Sequence, residues 1–199
     1  MDKSWQDSVV LIVSSDPGEQ SFGTGFVLHS DQWATYLLTC THVVRDVGGP
    51  GKKIQIHDSQ AKVIASSPEE EGDLAILSIE RLLDIPSLPL RGTGEKGKPF
   101  STVGFQLAGK QIVIRELSGT LGKQIGVQMR RQAGRIKAWD LEITDKDPLQ
   151  SGYSGSPVID EHGYVIGVVN TQRGEGKIGA AISIEALEKL QLEMPSDLF

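Results

Sequence analysis

Three residues of this 199-residue chain sit in settings where nucleophilic attack and proton transfer become chemically reasonable: His42, Asp73 and Ser154. His42 ends an apolar run, Leu37-Leu-Thr-Cys-Thr-His42-Val-Val, in a small polar turn. Asp73 opens another, Gly72-Asp73-Leu-Ala-Ile-Leu-Ser-Ile79. Ser154 lies in the glycine-flanked turn Gly152-Tyr-Ser154-Gly-Ser-Pro157. A serine hydroxyl is a poor nucleophile until a neighbouring imidazole accepts its proton. The imidazole in turn needs a carboxylate to fix its tautomer and to stabilise the imidazolium. Negative charge on an attacked carbonyl needs preorganised backbone N–H donors, and Gly152 and Ser154 are the natural ones here. Gly155 supplies the backbone freedom such a turn requires.

Residues so far apart in sequence need many short elements to bring them together. β-type runs fall at 9–13, 25–28, 36–39, 53–56, 62–65 and 74–79, and then at 100–105, 112–121, 127–129, 138–144, 157–160, 164–169 and 178–182. About a dozen strands at this spacing, separated by Gly, Pro, Asp and Ser, predict an all-β barrel or sandwich. The Gly/Pro/Lys segment 91–99 divides them about equally, giving a first small barrel over 5–90 and a second over 100–183. Asp160-Glu-His-Gly163 reads as a hairpin turn. One helix is expected, over 184–192, with Ser183 as its cap and Ile184, Leu187 and Leu190 on one face. Residues 193–199 read as a tail or linker, and no internal repeat is visible.

Composition narrows the function classes. Hydrophobic residues make up 38% and charged residues 23%, values of an ordinary globular chain. The net charge of −6 argues against a polyanion-binding surface, so no nucleic-acid partner is expected, and Arg130, Arg131, Arg135 and Lys137 read as a solvated basic face. The single cysteine, Cys40, precludes an internal disulfide and reads as a small buried residue beside His42. Residues 1–8 carry no apolar run of signal-peptide length, and no run of 18 apolar residues occurs anywhere. The expectation is a cytoplasmic protein without a membrane partner. His29, His57 and His162 lie in polar turns without metal-ligand spacing, so neither metal nor cofactor is expected. The stretch Gly92-Thr-Gly-Glu-Lys-Gly97-Lys98-Pro99 matches most of a phosphate-binding loop, but Pro99 stands where a hydroxyl must reach Mg²⁺, and it reads as a connector.

The order His, Asp, Ser, each in its own string, resembles the chymotrypsin/trypsin superfamily. The first two strings are similar to HtrA-type peptidase domains, and Gly152-x-Ser154-Gly-Ser-Pro157 to bacterial glutamyl endopeptidases. Gly23-Thr-Gly25-Phe-Val-Leu, Gly163-Tyr-Val-Ile-Gly-Val-Val169 and Ile178-Gly-Ala-Ala-Ile182 extend the resemblance over about residues 5–192. It implies two perpendicular six-stranded barrels with the active site between them. His42 and Asp73 would come from the first barrel and Ser154 from the second. A polypeptide substrate would add as a strand near Val169, Asn170 and Thr171.

The chain also departs from the family. Tyr153 stands where zymogen-type enzymes have an aspartate, so activation by N-terminal cleavage is not expected. Pro148 occupies the position of trypsin's pocket aspartate, with Asp147 one step away. The strand after the serine loop lacks the histidine of glutamyl endopeptidases. Leu149, Gly179 and Ala180 are left to line a modest apolar pocket. The resulting expectation is a serine endopeptidase, on its own or as a module controlled by regulatory domains or a partner protein. The alternative is a catalytically silent peptide- or partner-binding module of the same fold.

Overall fold

The computed structural model describes residues 4–49, 54–128 and 135–190. Its twelve strands close two antiparallel barrels of six. The first contains β1 (Val9–Ser14), β2 (Phe22–Ser30), β3 (Thr35–Cys40), β4 (Ile54–Ile56), β5 (Ser59–Ser66) and β6 (Leu74–Ile79). The second contains β7 (Pro99–Ala108), β8 (Gln111–Gln128), β9 (Arg135–Ile143), β10 (Pro157–Asp160), β11 (Val165–Arg173) and β12 (Ile178–Ser183). Around the first barrel the order is β1-β2-β3-β6-β5-β4, and around the second β7-β8-β9-β12-β11-β10. The second half therefore repeats the connection order of the first, although no sequence repeat announces it. Closure leaves no long sheet edge inside either barrel. This is the chymotrypsin-like double barrel.

Apolar residues explain both cores. β6 is buried along nearly its whole length, as its unbroken Leu-Ala-Ile-Leu run requires. It packs with Ile12, Phe26, Leu37 and Leu38 in a cluster that continues across the seam through Val103, Ile136 and Val168. A second cluster fills the other barrel around Phe100, Trp139, Leu141, Tyr153 and Ile166. Residues 80–98 cross between the barrels and are pinned to both. The Leu88 N–H donates to Val27 O at 3.1 Å, and the Arg91 N–H to Val165 O at 2.9 Å.

Three local features differ from the sequence expectation. The runs at 112–121 and 127 onward are one strand, β8, which continues through Gly122 and Gly126 with a register shift between Leu121 and Gln124. The C-terminal helix is a 3₁₀ helix, Ile184–Lys189, and Ser183 makes no side-chain cap bond to it. Its apolar residues fall three apart, the period of a three-residue turn, so one face stays buried without α-helical winding. The polar turn at His42 is the first turn of a short α-helix, α1 (Thr41–Asp46). Asp160–Gly163 is a turn closed by the Gly163 N–H on Asp160 O at 3.0 Å. Lys53, Arg130, Arg131 and the tail 193–199 lie outside the described residues. No described helix is long and apolar enough to cross a membrane.

Candidate active site

β3 ends at Cys40, and α1 begins at once, which turns His42 toward the seam between the barrels. Asp73 reaches it from the start of β6. The backbone there is unusual: Gly72 has φ +130° and Asp73 itself φ +52°. A non-glycine residue in the left-handed region is strained and needs surrounding structure to hold it. That structure is visible, since the Asp73 N–H donates to Pro68 O at 3.1 Å and its carbonyl accepts from Thr41 N at 3.0 Å. Both carboxylate oxygens then serve the histidine. Oδ1 accepts from the His42 backbone N–H at 2.9 Å, and Oδ2 lies 2.5 Å from His42 Nδ1. A third donor, Asn170 Nδ2 from β11, also bonds Asp73 Oδ2.

Burial alone would lower the pKa of His42. The hydrogen bond and charge of Asp73, aided by Asp46 and Glu69, outweigh it and hold the pKa above its ordinary value. With Nδ1 committed to Asp73, Nε2 is the nitrogen left to exchange a proton.

Ser154 follows a 3₁₀ turn, Ser151–Tyr153, on the second barrel. Gly155 has φ +89°, and a Cβ there would fall 1.9 Å from Thr24 O, so only glycine fits. The turn is bolted to the first barrel by the fully buried Thr24 of β2. Thr24 N–H donates to Ser154 O at 3.0 Å. Its hydroxyl donates to Gly152 O at 2.7 Å and accepts from the Phe105 N–H at 3.0 Å. Thr39 Oγ1 braces the same residue by donating to Thr24 O at 2.7 Å.

His42 and Ser154 open on one cleft of about 390 Å³, with Asp73 buried behind His42. The Ser154 hydroxyl donates to the carbonyl of Asn170 at 3.2 Å rather than to His42. Its backbone N–H points to Ser151 O at 3.3 Å, within the 3₁₀ turn. Leu149, Val169, Asn170 and Thr171 line the cleft, whereas Gly179 and Ala180 do not. Leu149 explains this, because its Cδ2 lies 2.7 Å from where a Cβ on Gly179 would stand. Asp147 is exposed and outside the cleft. Tyr153 is fully buried; burial, with Asp147 nearby, pushes its pKa up, and its hydroxyl donates to Arg115 O at 3.1 Å.

Cys40 is buried and donates to Val169 O at 3.3 Å. Its sulfur and the side chains of His42 and Asp73 offer atoms within 4.8 Å of one another. Burial first, and then the charge of Asp73, push the thiol pKa well up, which makes it a poor metal ligand and a poor nucleophile.

Two roles escaped the sequence. Thr24 appeared only inside a glycine-rich string, and Asn170 only as a substrate contact. Both act across the seam, where spacing along one chain carries no signal.

The family profile described as trypsin-like peptidase domain matches residues 23–168. The serine protease Do-like HtrA of Bacillus subtilis (strain 168) is 25% identical over 200 residues, covering 92% of this chain and 43% of that protein. The chain thus spans less than half the length of this curated relative. Among solved structures, the active form of the Rv3671c protease from M. tuberculosis superposes with a TM-score of 0.71 at 20% identity, over 98% of this chain and 85% of that one. The serine endoprotease from Yersinia pestis gives 0.67 at 20% identity, over 96% and 66%. Matched by its profile over most of its length and by its double barrel, the chain belongs to the trypsin-like peptidase domain family.

Proposed function

We propose that the chain is a serine endopeptidase that cuts polypeptides through an acyl-enzyme. The observation that carries this reading is the cross-barrel bolt at Thr24, which sets the Ser154 turn against the first barrel, where His42 and Asp73 are already paired. Ser154 Oγ attacks the carbonyl carbon while His42 Nε2 takes its proton. His42 then returns that proton to the leaving amine, and water repeats the sequence on the ester. Asp73 holds the ring and stabilises the imidazolium. The N–H groups of Gly152 and Ser154 receive the oxyanion. For that, the Ser154 N–H must leave Ser151 O, and its hydroxyl must turn from Asn170 O to His42.

The pocket beside Ser154 suits an uncharged side chain of modest size. Leu149 is part of its wall, and among the described residues the only ionisable ones lining the cleft are His42 and Asp46. Asp46 is paired with Arg45 at 2.8 Å, which weakens it as a partner for a basic side chain.

A second reading rests on the same turn. With hydroxyl and N–H both engaged elsewhere, the site could stay latent until a partner resets the turn, or serve only to bind peptides. Labelling by a fluorophosphonate probe separates these readings. Labelling that disappears in Ser154→Ala supports the peptidase; a folded native protein that resists the probe favours the latent or binding module.

A further inference from the structure

The first part of β8 is paired on one side only. β7 runs along it from Gln111 to Thr120, but β9 joins its other edge only from Gly119 onward. Among the described residues, no strand lies on that edge from Gln111 to Leu117. A two-stranded ribbon is marginal in water, and further strands make such a sheet stable. The ribbon also carries apolar side chains outside. Its register sets Phe105 opposite Ile114 and Leu107 opposite Ile112, so these four share one face. Phe105 packs toward the first barrel, whereas Leu107 is 54% exposed, Ile114 48% and Ile112 38%. An open edge beside exposed apolar side chains is a template for another strand.

Hydrogen bonds fix which backbone groups this edge offers. The Phe105 N–H donates to Thr24 Oγ1 at 3.0 Å, away from β8. Phe105 and Ile114 are therefore a non-hydrogen-bonded pair, and the N–H and C=O of Ile114 face away from β7. The same alternation turns Ile112 and Glu116 outward. Ser118, the next in that series, agrees: its N–H donates to Asp145 Oδ2, and its carbonyl accepts from the Thr144 N–H at 3.1 Å. Those two bonds end the open stretch. Before them, Ile112, Ile114 and Glu116 present their backbone groups to an incoming strand.

We infer that this edge pairs with the same edge of a second copy, antiparallel and centred on Val113, so that two chains share a four-stranded sheet. Charge and apolar complementarity select both the occupant and the register. With Val113 on the two-fold axis, Ile112 lies opposite Ile114 of the second copy, Gln111 opposite Arg115, and Lys110 opposite Glu116. Ile112 and Ile114 then exchange four backbone bonds, and a cation meets a carboxylate twice. Glu116 accepts from Gln6 Nε2 through Oε2, which leaves Oε1 for Lys110. Other symmetric registers that keep outward groups opposed lose this match. Centring on Ile112 sets Lys110 against Ile114, and centring on Ile114 sets Glu116 against Ile112. Centring on Arg115 sets Arg115 against its own copy, and like charges directly opposite are destabilising. The pairing does not depend on the peptidase reading.

The test is sedimentation of the Ser154→Ala protein over a concentration series, so that no cutting can intervene. Its mass should rise from one chain toward two. Lys110→Glu sets like charges opposite each other at both ends and should weaken the dimer about tenfold. Adding Glu116→Lys should restore it. Val113→Cys reads the register directly. Position 113 and its copy form a non-hydrogen-bonded pair with Cα atoms about 4.5 Å apart, within reach of a disulfide. Mild oxidation should therefore link the chains at 113. Arg115→Cys would face Gln111 instead and should not link, and the native Cys40 is buried. Thermal melting confirms that each variant folds, and the charge exchange decides alone if Val113→Cys does not. A mass of one chain at every concentration overturns the inference. So does a dimer indifferent to Lys110→Glu, or one that the exchange does not restore. Equal linking at 113 and 115 would report mere collision and overturn it as well.

Discussion

The two barrels share one connection order, yet they finish their parts of the site to different degrees. In the first, His42 and Asp73 are joined by a ring bond and a backbone bond, and Asp73 is held in a left-handed conformation by its own loop. Nothing there has to move for the proposed proton transfer. In the second, Ser154 sits on a 3₁₀ turn with its hydroxyl on Asn170 and its N–H on Ser151. In the proposed reaction the base is preorganised and the nucleophile is adjustable. A rigid base half supplies the electrostatics in advance, while a turn of three residues is the cheaper part to switch.

The largest effect should come from breaking the rigid half. Asp73→Asn keeps the size of the side chain but removes the charge and favours the wrong His42 tautomer. Turnover should fall by about 10⁴-fold, with fluorophosphonate labelling slowed in parallel. If the rate is unchanged, Asp73 has no part in the reaction and the contrast between the barrels collapses.

Next comes the adjustable half. Gly155→Ala must place a Cβ against Thr24 O while holding φ near +89°. Left-handed strain and overpacking together predict a loss of roughly 2–5 kcal/mol of stability. The loss is read from denaturant midpoints, and labelling should fall even where the chain remains folded. Thr24→Val should cost a comparable amount. It leaves Gly152 O without its donor and Phe105 N–H without its acceptor, at about 1–3 kcal/mol for each buried group left unpaired. Because His42 and Asp73 are untouched, the pH midpoint of whatever activity remains should not move. A shifted midpoint would show that the two halves are coupled more closely than their hydrogen bonds suggest.

This division also explains what could be read from the sequence. The strands were legible because apolar runs bounded by turn residues encode local geometry, and β6 announced its burial by composition alone. His42, Asp73 and Ser154 stood out because each needs a characteristic local setting. β8 read as two strands because Gly122 and Gly126 look like breaks, but pairing with β9 carries the chain through them. The terminal helix read as α because i, i+3 spacing fits both helix types, and only the hydrogen bonds separate them. Thr24, Asn170 and the state of the Ser154 turn were hidden for one reason: each depends on contacts between residues far apart in the chain. Thr24 meets Gly152 and Phe105, and Asn170 meets Asp73.

The smallest effect tests how isolated the rigid half is. His42 titrates above its ordinary value of about 6.5, and after Asp73 the contributors include Asp46 and Glu69, both partly exposed. Only neutral His42 can accept the Ser154 proton, so activity should rise with pH through a midpoint above that value. Replacing Glu69 by Gln removes a negative charge and frees Arg45, which Glu69 partly neutralises. Both changes disfavour the imidazolium, so the midpoint should fall by a few tenths of a unit, about as much as an exposed charge contributes. At pH 6 more of the variant would then be in its basic form, and its rate relative to its own plateau should exceed that of the native protein. Salt should act in the same direction on the native protein and less on the variant, because exposed charges are screened while the buried Asp73 is not. A midpoint indifferent to both Glu69→Gln and salt would mean that Asp73 alone sets His42, and that the first barrel is more self-contained than its surface charges suggest.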